Sequence, residues 1–87
     1  MSSSELEPKI LGILCEVAPD VDPAALKRDQ NFRDQFDFDS MDTLNFAIGL
    51  HRAFGIEIPE VDYGQLAGLA KASDYVRRKL GAGGPEA

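Results

Sequence analysis

Asp39-Ser40-Met41-Asp42-Thr43-Leu44-Asn45-Phe46-Ala47-Ile48-Gly49-Leu50-His51-Arg52-Ala53-Phe54-Gly55 is the stretch on which the fold turns. Its apolar residues recur at helical rather than alternating spacing, which predicts a helix from about Ser40 to Phe54. Both ends are marked. Asp39 can accept hydrogen bonds from free N–H groups of the first turn and, with Asp42, places negative charge at the positive end of the helix dipole. Gly55 stands where a left-handed C-terminal residue is expected. At about 100° per residue, Phe46, Leu50 and Phe54 share one stripe, with Thr43 and Ala47 beside it; this is the expected core face. Met41, Leu44 and Ile48 fall on a second stripe roughly 140° away, which is more apolar circumference than a small bundle buries. Either the loop before the helix covers that stripe or it serves as a docking patch for other proteins.

Outward from this helix the pattern stays helical. From Glu5 to Val17, Leu6, Ile10, Ile13, Leu14 and Val17 predict an amphipathic helix, with Pro8 in its first turn and a serine upstream as cap. Pro19 and Pro23 end it. Asp20 to Phe38 has no sustained period, and Phe32, Phe36 and Phe38 are expected to anchor this long loop on the core. Ile56 to Pro59 reads as an extended connector, Glu60 to Gln65 as one short helical turn, and Leu69 to Leu80 as a last helix with Leu69, Ala72, Tyr75 or Val76, and Leu80 inward. The expected architecture is an all-α bundle of three main helices, one short helix and a long loop between the first two. One domain is expected over residues 5–80, with flexible tails at 1–4 and 81–87.

Composition narrows the function. The 87 residues suit one hydrophobic core, and nine basic against fifteen acidic residues give a formal net charge of −6. Such a chain is repelled by phosphate backbones and anionic lipid, so neither nucleic acid nor a membrane surface is an expected partner, whereas basic protein surfaces are. No run approaches the roughly 18 apolar residues of a membrane span, no signal peptide pattern opens the chain, and the single Cys15 cannot make an internal disulfide. The expected location is cytoplasmic, and Cys15 is expected in the core.

Ser40 invites a nucleophile reading, but His51, the one histidine, lies eleven residues along the same helix, about 16 Å away, and cannot act as its base. No G-x-S-x-G elbow surrounds the serine. Asp34, Asp37, Asp39 and Asp42 suggest a calcium loop, yet the required spacing would put a ligand at Met41 and a glycine at Asp42. One cysteine and one histidine do not make a zinc site, so no metal is expected. As an ordinary helix cap, Ser40 would need no chemistry at all.

Asp39-Ser40-Met41-Asp42-Thr43-Leu44-Asn45-Phe46, followed by Phe54-Gly55-Ile56-Glu57-Ile58-Pro59 and later Asp74-Tyr75-Val76, resembles the signature of the acyl carrier proteins. The resemblance runs from about Leu6 to Leu80 and implies their four-helix bundle. It implies that Ser40 carries 4'-phosphopantetheine, taken from coenzyme A by a separate phosphopantetheinyl transferase that needs magnesium, and that the carrier is not an enzyme. Asp39 would cap the helix and help orient the site. Met41, Asp42, Leu44, Asn45, Ile48 and Arg52 would face partners: the transferase, and acyl-activating, acyl-transfer or condensing enzymes of fatty-acid, lipid or polyketide-type synthesis. A monomer is expected. Two departures stand out. Asp37 occupies a position where the family often has glycine, so the turn needs either no left-handed residue or a left-handed Asp. Asn45, His51 and Arg52 replace family glutamates, weakening attraction to basic docking sites and pointing to a specialised carrier. The alternatives are a peptidyl or aryl carrier of a non-ribosomal peptide pathway, and a helical interaction module without the arm. Gly49, mid-helix at a cost of about 1 kcal/mol, either admits close packing or leaves room for cargo.

Overall fold

A computed structural model of the chain describes residues 3–83, with side chains described over 5–81. It contains α1 (Ser3–Val17), α2 (Ser40–Phe54) and α3 (Leu69–Gly83), a single 3-10 turn at Phe32–Asp34 in the long loop, and a short 3-10 helix at Glu60–Leu66 between α2 and α3. Among the described residues there is no strand, only an isolated antiparallel bridge between Asn31 and Gly68. The architecture is the expected all-helical bundle.

Boundaries differ at both ends. α1 begins at Ser3, so Ser3 and Ser4 are helical rather than tail, and Pro8 sits in the second turn rather than the first. There it forgoes one backbone hydrogen bond, which the apolar face of α1 offsets by burial of Leu6, Ile10 and Leu14. α3 continues past Leu80 to Gly83, so residues 81–83, expected in the tail, extend the helix. Residues 1, 2 and 84–87 lie outside the described residues.

The core joins every element. Leu6, Ile10 and Leu14 of α1 meet Phe46, Ala47 and Leu50 of α2 and Leu69, Ala72, Tyr75 and Val76 of α3. Phe54, placed on the core stripe by periodicity, and Thr43, placed beside it, are only half-buried, with Phe54 packed against the core's edge. The Lys9 ammonium lies over its ring, 5.3 Å from the ring centre.

The long loop is folded onto this core by aromatic packing. Phe32 is fully buried and contacts Phe36, Phe38 and Phe46 at centroid distances of 5.8, 5.0 and 5.7 Å. The backbone adds two ties to the start of α3: Phe32 N–H donates to the Ala67 carbonyl at 2.7 Å, and Ala70 N–H to the Arg28 carbonyl at 2.9 Å. A Cβ on Gly68 would come within 3.0 Å of the Gln30 carbonyl oxygen, so this crossing needs glycine. Arg28 also makes a bidentate ion pair with Glu7 of α1, and those hydrogen bonds hold the Glu7 carboxyl below its usual range despite partial burial. Asp37 needs no left-handed conformation; among the described residues only Gly55 has positive φ, at 66°. The turn before α2 is made without a glycine.

Gly49 is explained by packing. A Cβ there would lie 2.7 Å from Cγ2 of Ile13, so the close approach of α1 to α2 leaves no room for a side chain at this position.

Candidate functional site

The start of α2 is held by Asp39 and Asp42 acting on each other. Asp39 is the N-cap; its Oδ1 accepts from Asp42 N–H at 3.0 Å, and Asp42 Oδ2 accepts from Asp39 N–H at 3.1 Å. This is a reciprocal capping box, built here with Asp at the third position. Thr43 closes the turn, donating its N–H to the Asp39 carbonyl at 3.0 Å and its hydroxyl to the same oxygen at 3.2 Å.

Ser40 is therefore not the cap. It is the first helical residue, it is exposed, and its hydroxyl makes no hydrogen bond to another described residue. The local sequence explains this: Asp39 supplies the acceptor, so among the described residues the cap makes no use of the serine oxygen. His51 sits in the last turn of the same helix, where the distance from Ser40 was expected to exclude it as a base. Its Nδ1–H donates to the Ile56 carbonyl at 2.6 Å, fastening the chain as it leaves α2. Among the described residues, no group of three or more His, Cys, Asp or Glu is arranged to hold a metal ion.

Ser40 lines one of two dissimilar depressions near the start of α2. This one is a pocket of about 350 Å³, walled by Asn31, Arg33 and Phe38 of the loop, by Thr43 of α2, and by Tyr63 and Ala67 from the short helix and its exit. The other is a groove of about 510 Å³ between the end of α1 and the loop, carrying Asp20, Asp37 and Asp42. Asn31, Arg33 and Tyr63 were not expected from sequence, because the first two lie in an aperiodic loop and the third in a turn whose facing direction only the fold reveals.

Along α2 the second apolar stripe stays uncovered. Met41 is 60% exposed and Ile48 40%, while Leu44 is half-buried. Asn45 and Arg52 are exposed and, with Ile48, border a groove of about 600 Å³ against Ile13, Glu16 and Val17 of α1. Cys15, expected in the core, is half-buried.

A small helical bundle that displays an unengaged serine at a capped helix start, beside a pocket, has the architecture of a carrier domain. Two comparisons make this specific. The phosphopantetheine attachment site family model matches residues 8–76. An acyl carrier protein from Guillardia theta is 32% identical over 82 residues, covering 94% of this chain and 100% of the relative. The chain belongs to the acyl carrier protein family, whose prosthetic group is 4'-phosphopantetheine and whose members carry acyl groups without catalysing reactions. The Ser40 corner fits such a group, since it offers an accessible oxygen free of internal bonds and a pocket against which an attached arm can lie. No described helix is long and apolar enough to cross a membrane.

Proposed function

We propose that this protein is a free-standing, specialised acyl carrier that bears the phosphopantetheine arm on Ser40. The observation that carries the reading is the exposure of the Ser40 hydroxyl at a helix start already capped by Asp39. The arm supplies a thiol on which acyl groups are held as thioesters. Activation of the serine belongs to the transferase, so the carrier needs only to present the oxygen, and Asp39 and Asp42 keep its backbone fixed while it does so. Tethering then converts successive encounters between cargo and enzymes into high local concentration.

Met41, Leu44 and Ile48, with Asp42, Asn45 and Arg52, form the docking face for the transferase and for acyl-activating, acyl-transfer or condensing enzymes. Exposed apolar side chains on one helix face support this reading. We place the protein as a cytoplasmic monomer serving fatty-acid, lipid or polyketide-type synthesis.

Intact-mass measurement after incubation with coenzyme A, magnesium and a broad-specificity transferase tests the assignment. One phosphopantetheine increment is expected on the parent and none on Ser40→Ala. A parent that stays unmodified, or a Ser40→Ala chain that is modified elsewhere, overturns it. Offering the loaded protein to fatty acyl-activating and to amino-acid- or aryl-activating enzymes then separates an acyl carrier from a peptidyl or aryl one.

A further inference from the structure

We propose that Arg33 and Asn31 form an anion-holding wall beside Ser40, which grips the phosphodiester of the attached arm and lays the arm into the pocket bordered by Tyr63. The inference rests on Ser40 being the attachment residue and concerns what the chain does with the arm once it is there.

Carboxylates crowd the start of α2. Asp39 and Asp42 are close to the serine in sequence, and the groove that Asp42 lines also carries Asp20 and Asp37. A phosphodiester on Ser40 adds one more negative charge to this acidic corner of a chain whose net charge is already −6. The N-terminal N–H groups of α2 give limited relief, because the Asp39 carboxylate occupies the Asp42 N–H.

The pocket that Ser40 itself lines has the opposite character. Arg33 is the one charged residue on its wall, and among the described residues it has no ion-pair partner, whereas Arg28, Arg77 and Arg78 are each paired with a carboxylate. Asn31 lies on the same wall with its side-chain carbonyl already committed: Lys71 Nζ donates to Asn31 Oδ1 at 3.1 Å. What remains to Asn31 is its pair of N–H donors, with the Lys71 ammonium behind them. The Thr43 hydroxyl donates inward to the Asp39 carbonyl. The wall is therefore rich in donors and positive charge, which suits a group made of acceptor oxygens and suits a guanidinium fork in particular. Acidic neighbours at Asp39 and Asp42 and donors in the pocket that Ser40 itself lines favour turning a phosphodiester at Ser40 toward Arg33.

An anionic group could also reach this wall as a carboxylate at the far end of the cargo. The phosphodiester is favoured because it is attached at Ser40 itself, on the rim of the same pocket.

The test is nuclear magnetic resonance on four forms of the protein, each verified by intact mass: apo, holo with a free thiol, and holo loaded with a butyryl or a succinyl group. The reporters are the phosphorus resonance, the Arg33 Nε–H, the Asn31 side-chain amide and the Tyr63 and Ala67 backbone amides. The expected result is movement of these proton resonances from apo to holo at low salt. It should shrink near 1 M salt, where the screening length is about 3 Å, and succinyl should add nothing beyond butyryl. In holo Arg33→Gln the phosphorus resonance shifts and the Tyr63 and Ala67 response is lost, while Arg33→Lys retains part of it. Proton resonances unmoved between apo and holo overturn the proposal, as does movement that appears only with succinyl, which would assign the wall to cargo. Failure of wild type to gain mass defeats the Ser40 assignment and this proposal with it; a mass gain with unmoved resonances defeats this one alone.

Discussion

The Tyr75 hydroxyl donates to Asp62 Oδ2 at 2.7 Å, joining α3 to the short helix that borders the Ser40 pocket. A second link runs parallel to it, from Arg78 NH2 to Gln65 Oε1 at 2.9 Å. Tyr63 therefore reaches the pocket from an element held at two points by α3. Burial, with the hydrogen bond to Asp62 adding to it, pushes the Tyr75 hydroxyl up to about 12.

The pH dependence follows from that direction. A group whose folded pKa lies above its unfolded value of about 10 contributes its full stabilisation below pH 10 and loses it as pH rises through 12. The wild-type protein should lose on the order of 2–3 kcal/mol across this window in excess of any loss by Tyr75→Phe. Urea unfolding of both proteins between pH 8 and 12 measures the difference. Equal losses in the two would remove Tyr75 as the cause.

Gly49→Ala should destabilise the protein although alanine is the better helix former. The helix gain of about 1 kcal/mol is opposed by overpacking that costs about 1–3 kcal/mol, because Cγ2 of Ile13 is fixed at the branch of its side chain and cannot swing away. Ile13→Leu removes that methyl, so the double variant should recover part of the loss. Thermal melts of the two single variants and the double give the coupling; strictly additive effects would show that the Ile13 contact is not the reason for the glycine.

Asp39→Ala should cost about 1 kcal/mol by leaving the Asp42 N–H without its acceptor, and Asp39→Ser should restore most of it. Ser40→Ala should leave the melting temperature unchanged within error, because its hydroxyl takes no part in the cap. A substantial drop for Ser40→Ala would mean that the fold uses the oxygen after all.

Met41→Asp and Ile48→Asp replace exposed side chains, so stability should change by no more than about 0.5 kcal/mol. Transferase kcat/KM should nonetheless fall about tenfold or more, the size of a lost interface anchor. Unchanged kinetics for both would remove the α2 stripe from the docking face used by that enzyme.

The sequence made the helices and the corner bearing Ser40 legible for local reasons. Asp39 and Gly55 bracket α2 with side-chain and backbone chemistry that acts within a few residues, and periodicity placed Phe46 and Leu50 inward. The ends of α1 and α3 were harder to read. Ser3 and Ser4 look like a tail and the three small residues after Leu80 look like a terminator, yet both belong to helices whose hydrogen bonding is already under way. The pocket was not legible at all. Asn31 and Arg33 arrive there because Phe32 between them is buried and the loop backbone is tied to Ala67 and Ala70, contacts that join residues more than thirty positions apart. His51 shows the same limit, since its bond to the Ile56 carbonyl depends on the sharp turn at Gly55.

Because the cap of α2 is built by Asp39 and Asp42, the one atom proposed to be modified is a spectator in the architecture. Attachment and removal of a group at Ser40 then exchange bonds only outside the bundle, and the same folded molecule can pass through many rounds of charging and discharge without being remade. A carrier organised in this way separates durability from traffic: what wears in each cycle is the replaceable arm, and the scaffold that positions it is left as it was.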